Sequence, residues 1–169
     1  MDIKKLAVMV HENSAAHGWW PENKMERSVP EMLLLLNRNV AKATDAYRNQ
    51  HSVIEGYDWK AVFAEGLADV VIQILDMCEG RGADVTENLV YATSDCQIID
   101  ALMEMHFSIS EAYSNFSNGC AGFIYSNVFD VLRTIQKVCD GYDIDLEAAI
   151  LAKHEVNKTR AYRHGNKAC

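Results

Sequence analysis

Apolar residues recur along this chain at helical rather than strand spacing. Over residues 2–16, Ile3, Leu6, Ala7 and Val10 fall on one stripe at i, i+3, i+4 and i+7. Ser28-x-x-Glu31 forms a capping box with Pro30 in the first turn, where a missing N–H costs nothing. It predicts a helix running to about residue 49. Asp58 is placed to cap a third helix over 58–79, rich in Val, Ile and Leu, which should stop near Gly80 and Gly82. Asp84 can cap a short segment to about residue 92. Ser94-x-x-Gln97 is a second capping box, opening a long helix to about residue 118. A further helix covers 122–140, and Asp145 caps a last one that runs into the tail. Residues 70–74 have strand-like composition but lie inside a longer 3.6-residue period, so no strand is expected.

The helices repeat. Shifted by 61 positions, the segment 69–85 falls on 130–146, pairing Asp69 with Asp130, Val70 with Val131, Ile74 with Ile135, Cys78 with Cys139, Gly80 with Gly141 and Asp84 with Asp145. The preceding helices match at a shift of 69, with Ala43 on Ala112, Tyr47 on Phe116 and Asn49 on Asn118. The predicted architecture is all-α: two tandem helix-turn-helix repeats, over about 28–92 and 94–152, packed as one four-helix bundle with flanking terminal helices and a basic tail over 153–169.

Composition supports one domain over 1–169. About half of the 169 residues are apolar, enough for a sizeable core, and two prolines with nine glycines are too few for a turn-rich all-β fold. The net charge of −8 argues against a duplex-nucleic-acid binder, so no nucleic acid is expected. The charge is uneven. The tail carries Lys153, Lys158, Arg160, Arg163 and Lys167 against Glu155, an excess of four, so the remainder stands at −12. The stretch Leu6–Val10 is too short for a signal core, and no uninterrupted apolar run is longer than Met32–Leu36, far short of the roughly 20 residues of a membrane span. No membrane partner is expected. The five cysteines have no CxxC spacing and read as reduced, mostly buried thiols of a cytoplasmic protein.

Both ends carry a more specific signal. His11-Glu-Asn13 with His17-Gly-Trp-Trp-Pro-Glu22 resembles the opening of phage-type and bacterial MazG-like proteins, the all-α nucleoside triphosphate pyrophosphohydrolases related to the dimeric dUTPases. Ile144-Asp-Leu-Glu-Ala-Ala-Ile150 and the run Lys153-His-Glu-Val-Asn157-Lys-Thr-Arg160-Ala-Tyr-Arg-His164-Gly-Asn-Lys167 resemble that family's closing segment more closely still. The resemblance implies a nucleoside triphosphate as ligand, Mg²⁺ as cofactor, cleavage to monophosphate and pyrophosphate, and helix-turn-helix units paired by dimerisation; a homodimer is therefore among the expected assemblies. The family's chemistry depends on ExxE on one helix and ExxD on the next. Residues three apart share a helix face, so facing helices present four carboxylates to Mg²⁺, which activates water against phosphorus.

This chain departs from that pattern. In the first repeat the positions are Asn39 and Lys42, then Gly66 and Asp69; in the second they are Ser108 and Glu111, then Asn127 and Asp130. Lys42 would repel a metal, but an ammonium there can bind phosphate directly. Asp45 and Glu65 lie close enough to compensate, although a helix turns about 100° per residue and Glu65 would need a register change. Glu111 and Asp130 read two ways: as a catalytic pair holding Mg²⁺ with help from substrate phosphates, Asp69 being the remaining candidate ligand, or as ordinary polar positions in a bundle.

Lys153, Asn157 and Arg160 follow i, i+4, i+7 spacing, and the resemblance places them on the nucleotide's phosphates; without it they read as a basic cluster at the negative end of a helix dipole. Trp19 and Trp20 read as core anchors, one of which could stack on a base, and His106 as a satisfied core histidine. Three functions follow: a nucleoside triphosphate-binding protein with Mg²⁺-dependent pyrophosphohydrolase activity, an inactive relative that binds nucleotide or a protein partner, and a structural helical dimer.

Overall fold

The computed structural model describes residues 2–86 and 96–166, and among these every regular element is helical. Asp2 caps α1 (Ile3–Ala16) by accepting the Lys5 N–H, Ser28 caps α2 (Val29–Arg48), and Asp58 caps α3 (Trp59–Arg81). Next come α4 (Ile98–Ser117), α5 (Gly122–Gly141) and α6 (Leu146–Lys158), the last capped by Asp145. A single 3₁₀ turn, Lys24–Glu26, bridges α1 and α2. No helix among the described residues is long and apolar enough to cross a membrane.

Helices α2 and α3 pack as one hairpin and α4 and α5 as another; α2 meets α4 and α3 meets α5, closing the bundle. Helices α1 and α6 both lie against α3. With neighbours on every side, α3 is buried almost all round, through Phe63, Leu67, Val70, Val71, Ile74, Leu75 and Cys78. That burial explains its near-continuous apolar run. The paired cysteines behave alike: burial pushes both the Cys78 and Cys139 thiols up to about 12, so both stay protonated and inert. His106, half-buried on α4, is satisfied across the bundle by Asn37, whose side-chain oxygen lies 2.8 Å from its Nδ1.

Three expectations need correcting. Gly80 does not stop α3. It lies inside the helix beneath Trp20, where a Cβ would come closer than 3.0 Å to three atoms of the indole; the stop is Gly82, in the left-handed conformation at φ 71°. Helix α4 begins at Ile98 with Gln97 at its N-cap and no side-chain cap, so Gln97 sits at the start of the helix rather than inside its first turn; Ser94 lies outside the described residues. The last helix runs into the basic tail, as expected, but does not carry Arg160 on its face. It ends at Lys158, and the chain then turns through Arg163, His164 and Gly165, all at positive φ, and docks on the end of α1. The segment that Asp84 was expected to open, and Lys167 and Cys169, also lie outside the described residues; Asp84 itself accepts the Thr86 N–H and hydroxyl.

Candidate functional site

A cavity of about 530 Å³ opens between α1, α2, α3 and the tail, within the range of small-molecule sites, about 300–1,000 Å³. Arg38, Asn39 and Lys42 line it from α2, and Asp69, Gln73 and Asp76 from α3. Counted from Leu35, which also lines the cavity, the α2 residues follow i, i+3, i+4, i+7 spacing, and the α3 residues follow i, i+4, i+7, which puts each set on one face. Asn13, Ser14, His17 and Trp19 come from the first segment, and His154, Asn157, Arg160 and His164 from the last.

Asp76 organises the wall. It is 5% exposed, and its carboxylate takes four hydrogen bonds: Oδ1 from the His11 ring at 2.9 Å and the Trp20 indole N–H at 2.7 Å, Oδ2 from the Ser14 hydroxyl at 2.8 Å and Arg27 at 3.0 Å. Lys24 reaches the other His11 nitrogen at 2.8 Å. That contact assigns the tautomer, because an ammonium can only donate: His11 is neutral at Nε2 and donates from Nδ1 to Asp76. The Arg27 guanidinium also covers the Trp20 ring, 4.6 Å from its centroid. A buried carboxylate is tolerated because every lone pair is used.

A second charged cluster sits beside it. Lys42 Nζ lies 2.6 Å from Asp69 Oδ2, and Lys153 Nζ lies 3.3 Å from the same oxygen. Lys153 is 3% exposed and also bonds Glu65. That hydrogen bond is the main reason the Glu65 carboxyl is held below its usual range, with the nearby Lys42 and Arg160 charges adding to it. Gly66 packs on α2, where a Cβ would sit 3.0–3.1 Å from the Ala43 backbone N, Cα and Cβ. A longer side chain has no room between the two helices.

The two ends of the chain meet at this cavity. The Arg163 N–H donates to the His17 carbonyl at 3.0 Å and the Arg163 Nε to the Gly18 carbonyl at 2.9 Å. Gly18, at φ 77°, leaves room for the Tyr162 ring. Trp19 stands edge-on to His164 with ring centroids 5.2 Å apart. The Asn157 side-chain oxygen is buried without a hydrogen-bond partner. Burial lowers the His154 pKa below its usual value.

Of the residues predicted for the site, Lys42, Asp69, Asn157 and Arg160 line the cavity. Lys153 stands behind the wall, committed to Glu65 and Asp69. Glu111 and Asp130 lie on α4 and α5 and do not line it: Glu111 accepts from the Asn127 amide at 3.4 Å and Asp130 is paired with Arg133. The first-repeat residues do not fit Mg²⁺, since the one carboxylate at the pattern positions there, Asp69, is already held by two ammoniums that would repel a divalent ion. Among the described residues no group of three or more His, Cys, Asp or Glu is arranged to hold a metal ion. Asp76, Ser14, Arg27 and Arg38 were missed by sequence reasoning. The signal was present for Asp76: Asp69, Gln73 and Asp76 form a polar stripe on the otherwise apolar stretch 66–78 of α3. Comparison with family models, curated proteins and solved structures finds no match.

The buried histidines give a pH dependence. Burial depresses both His154 and His106 below the ordinary 6.5, so the unfolded chain binds protons that the native state does not. Stability is then full above 6.5 and falls as pH drops through that value toward the folded pKa values. Thermal midpoints measured from about pH 7.5 to about pH 5.5 should decline, and a His106→Gln/His154→Gln variant should show a flatter curve. An unchanged slope in that variant would assign the decline elsewhere. Glu65 does not interfere, because its stabilising contribution is lost only below its ordinary 4.5.

Proposed function

We propose that the protein is a nucleotide-binding relative of the MazG-like pyrophosphohydrolases in which a lysine ammonium, Lys42, stands where that family places a metal-binding carboxylate. The observation that carries this reading is convergence: the opening and closing segments, which hold the resemblance, meet over one cavity rich in cations. Guanidinium groups of Arg38 and Arg160 suit phosphate oxygens, and Trp19 offers an aromatic surface for a base. Asn157 supplies an acceptor that still lacks a donor. Hydrolysis is not part of this reading. Beside Asp69 the cations are already built in, Lys42 in the wall and Lys153 of the tail behind it, where they can neutralise carboxylates but cannot ionise a water molecule.

Calorimetric titration with the four deoxynucleoside triphosphates and the four monophosphates, with Mg²⁺ or with EDTA, together with an assay for released pyrophosphate, tests it. Binding is expected in EDTA, without pyrophosphate release in either condition. Arg160→Ala should weaken binding about tenfold or more, the scale of one lost charge-assisted contact. Mg²⁺-dependent pyrophosphate release abolished by Glu111→Ala would replace this reading with the enzymatic one centred on Glu111 and Asp130. Absence of heat with every nucleotide would remove the nucleotide altogether and leave a helical scaffold.

A further inference from the structure

The charges around the cavity decide which phosphate it can balance. Four cations, Arg27, Arg38, Lys42 and Arg160, and two carboxylates, Asp69 and Asp76, line it. Arg27 is bound to Asp76 and Lys42 to Asp69, while Lys153, behind the wall, is matched by Glu65. Counting the guanidinium, ammonium and carboxylate groups, the excess is two positive charges, carried by Arg38 and Arg160. The Arg160 guanidinium reaches His164 Nδ1 at 3.3 Å, a contact that leaves its charge uncompensated.

A nucleoside monophosphate carries close to two negative charges at neutral pH, since the second phosphate pKa is about 6; a metal-free triphosphate carries about four. We infer that the cavity selects a nucleoside monophosphate over the metal-free triphosphate of the same base. This rests on the nucleotide-binding reading above. Two guanidiniums match the terminal dianion, with forked donors suited to its oxygens. Further phosphates would lie beside the Asp69 and Asp76 carboxylates with no cation left for them, in a partly enclosed site where like charges repel strongly. The lysines are already committed: Lys42 is held by Asp69, and Lys153 by both Glu65 and Asp69. The unpartnered Asn157 oxygen calls for a hydrogen donor. A phosphate dianion has none, whereas a sugar hydroxyl or a base N–H supplies one, so the ligand is more than phosphate.

The test is titration of the full chain in EDTA with dAMP, dCMP, dGMP and dTMP, with their triphosphates, and with inorganic phosphate, variants being checked by circular dichroism. For the base that binds tightest, the monophosphate should bind about tenfold tighter than its triphosphate or better, and tighter than phosphate. Asp69→Asn raises the excess to three and should move the ratio toward the triphosphate; Lys42→Gln lowers it to one and should move it the other way. A triphosphate that binds as tightly as the monophosphate in EDTA, or a ratio unmoved in both folded variants, overturns the inference while leaving a nucleotide site. Phosphate binding as tightly as the monophosphate overturns the nucleoside part. Failure of every nucleotide to bind overturns this inference and the nucleotide-binding reading together.

Discussion

Asp76→Ala is expected to destabilise the fold by about 3–5 kcal/mol, the cost of removing one partner from a buried, hydrogen-bonded ion pair. Four donors lose their acceptor at once: His11, Ser14, Trp20 and Arg27. They cannot pair with one another, because each presents hydrogen to the same point. Asp76→Asn should recover part of the loss. It keeps one oxygen and the shape, but its amide points hydrogens at two of the donors. Denaturant midpoints of the three proteins check the order, and an alanine variant within about 1 kcal/mol of the parent would show that the network is not holding the first segment. The same variant should lose ligand binding, because Asp76 holds residues 11–27 on α3 and that segment forms one wall of the cavity.

Gly80→Val should be nearly as damaging, by about 3 kcal/mol or more, from overpacking against a ring that cannot yield. A Cβ at residue 80 would collide with the outer edge of the Trp20 indole, and that indole is pinned by its bond to Asp76 and by Arg27 above it. Helix propensity points the other way, because replacing a mid-helix glycine by alanine ordinarily stabilises by about 0.5–1 kcal/mol. The sign for Gly80→Ala therefore reports directly on the Trp20 contact. Trp20→Phe removes the outer ring edge and should relieve Gly80→Ala, so the double variant should be more stable than the summed single effects predict. A strictly additive cycle would mean that the indole moves aside freely.

The helices were legible because their signals are local. Ser28, Asp58 and Asp145 cap the predicted helices through bonds within their own first turns. Apolar periodicity placed α2 to α6 to within a few residues. Gly80 was misread because a glycine near a helix end has two explanations, a stop or a close approach, and only the distant Trp20 distinguishes them. Arg160 was misplaced on the last helix for a similar reason: a basic run continues a helix unless something holds it elsewhere, and His17 and Gly18 hold the end of the chain through Arg163.

The site was legible in part. Lys42, Asp69, Asn157 and Arg160 were singled out through the family resemblance and line the same cavity, whereas Lys153, which the resemblance places on the ligand, is spent on Glu65 and Asp69. Residue type and spacing alone determined that the chain is helical and where most helices begin, since these follow from propensity and periodicity; the phosphate role of the last segment was an expectation from the family resemblance. Only the tertiary structure decided that the ends meet, that Asp76 is a buried junction rather than a surface acid, and that two of the cations are already neutralised. Pairing of charges depends on which helices touch, and residues 42, 65, 69 and 153 come together through packing that no short stretch of sequence encodes.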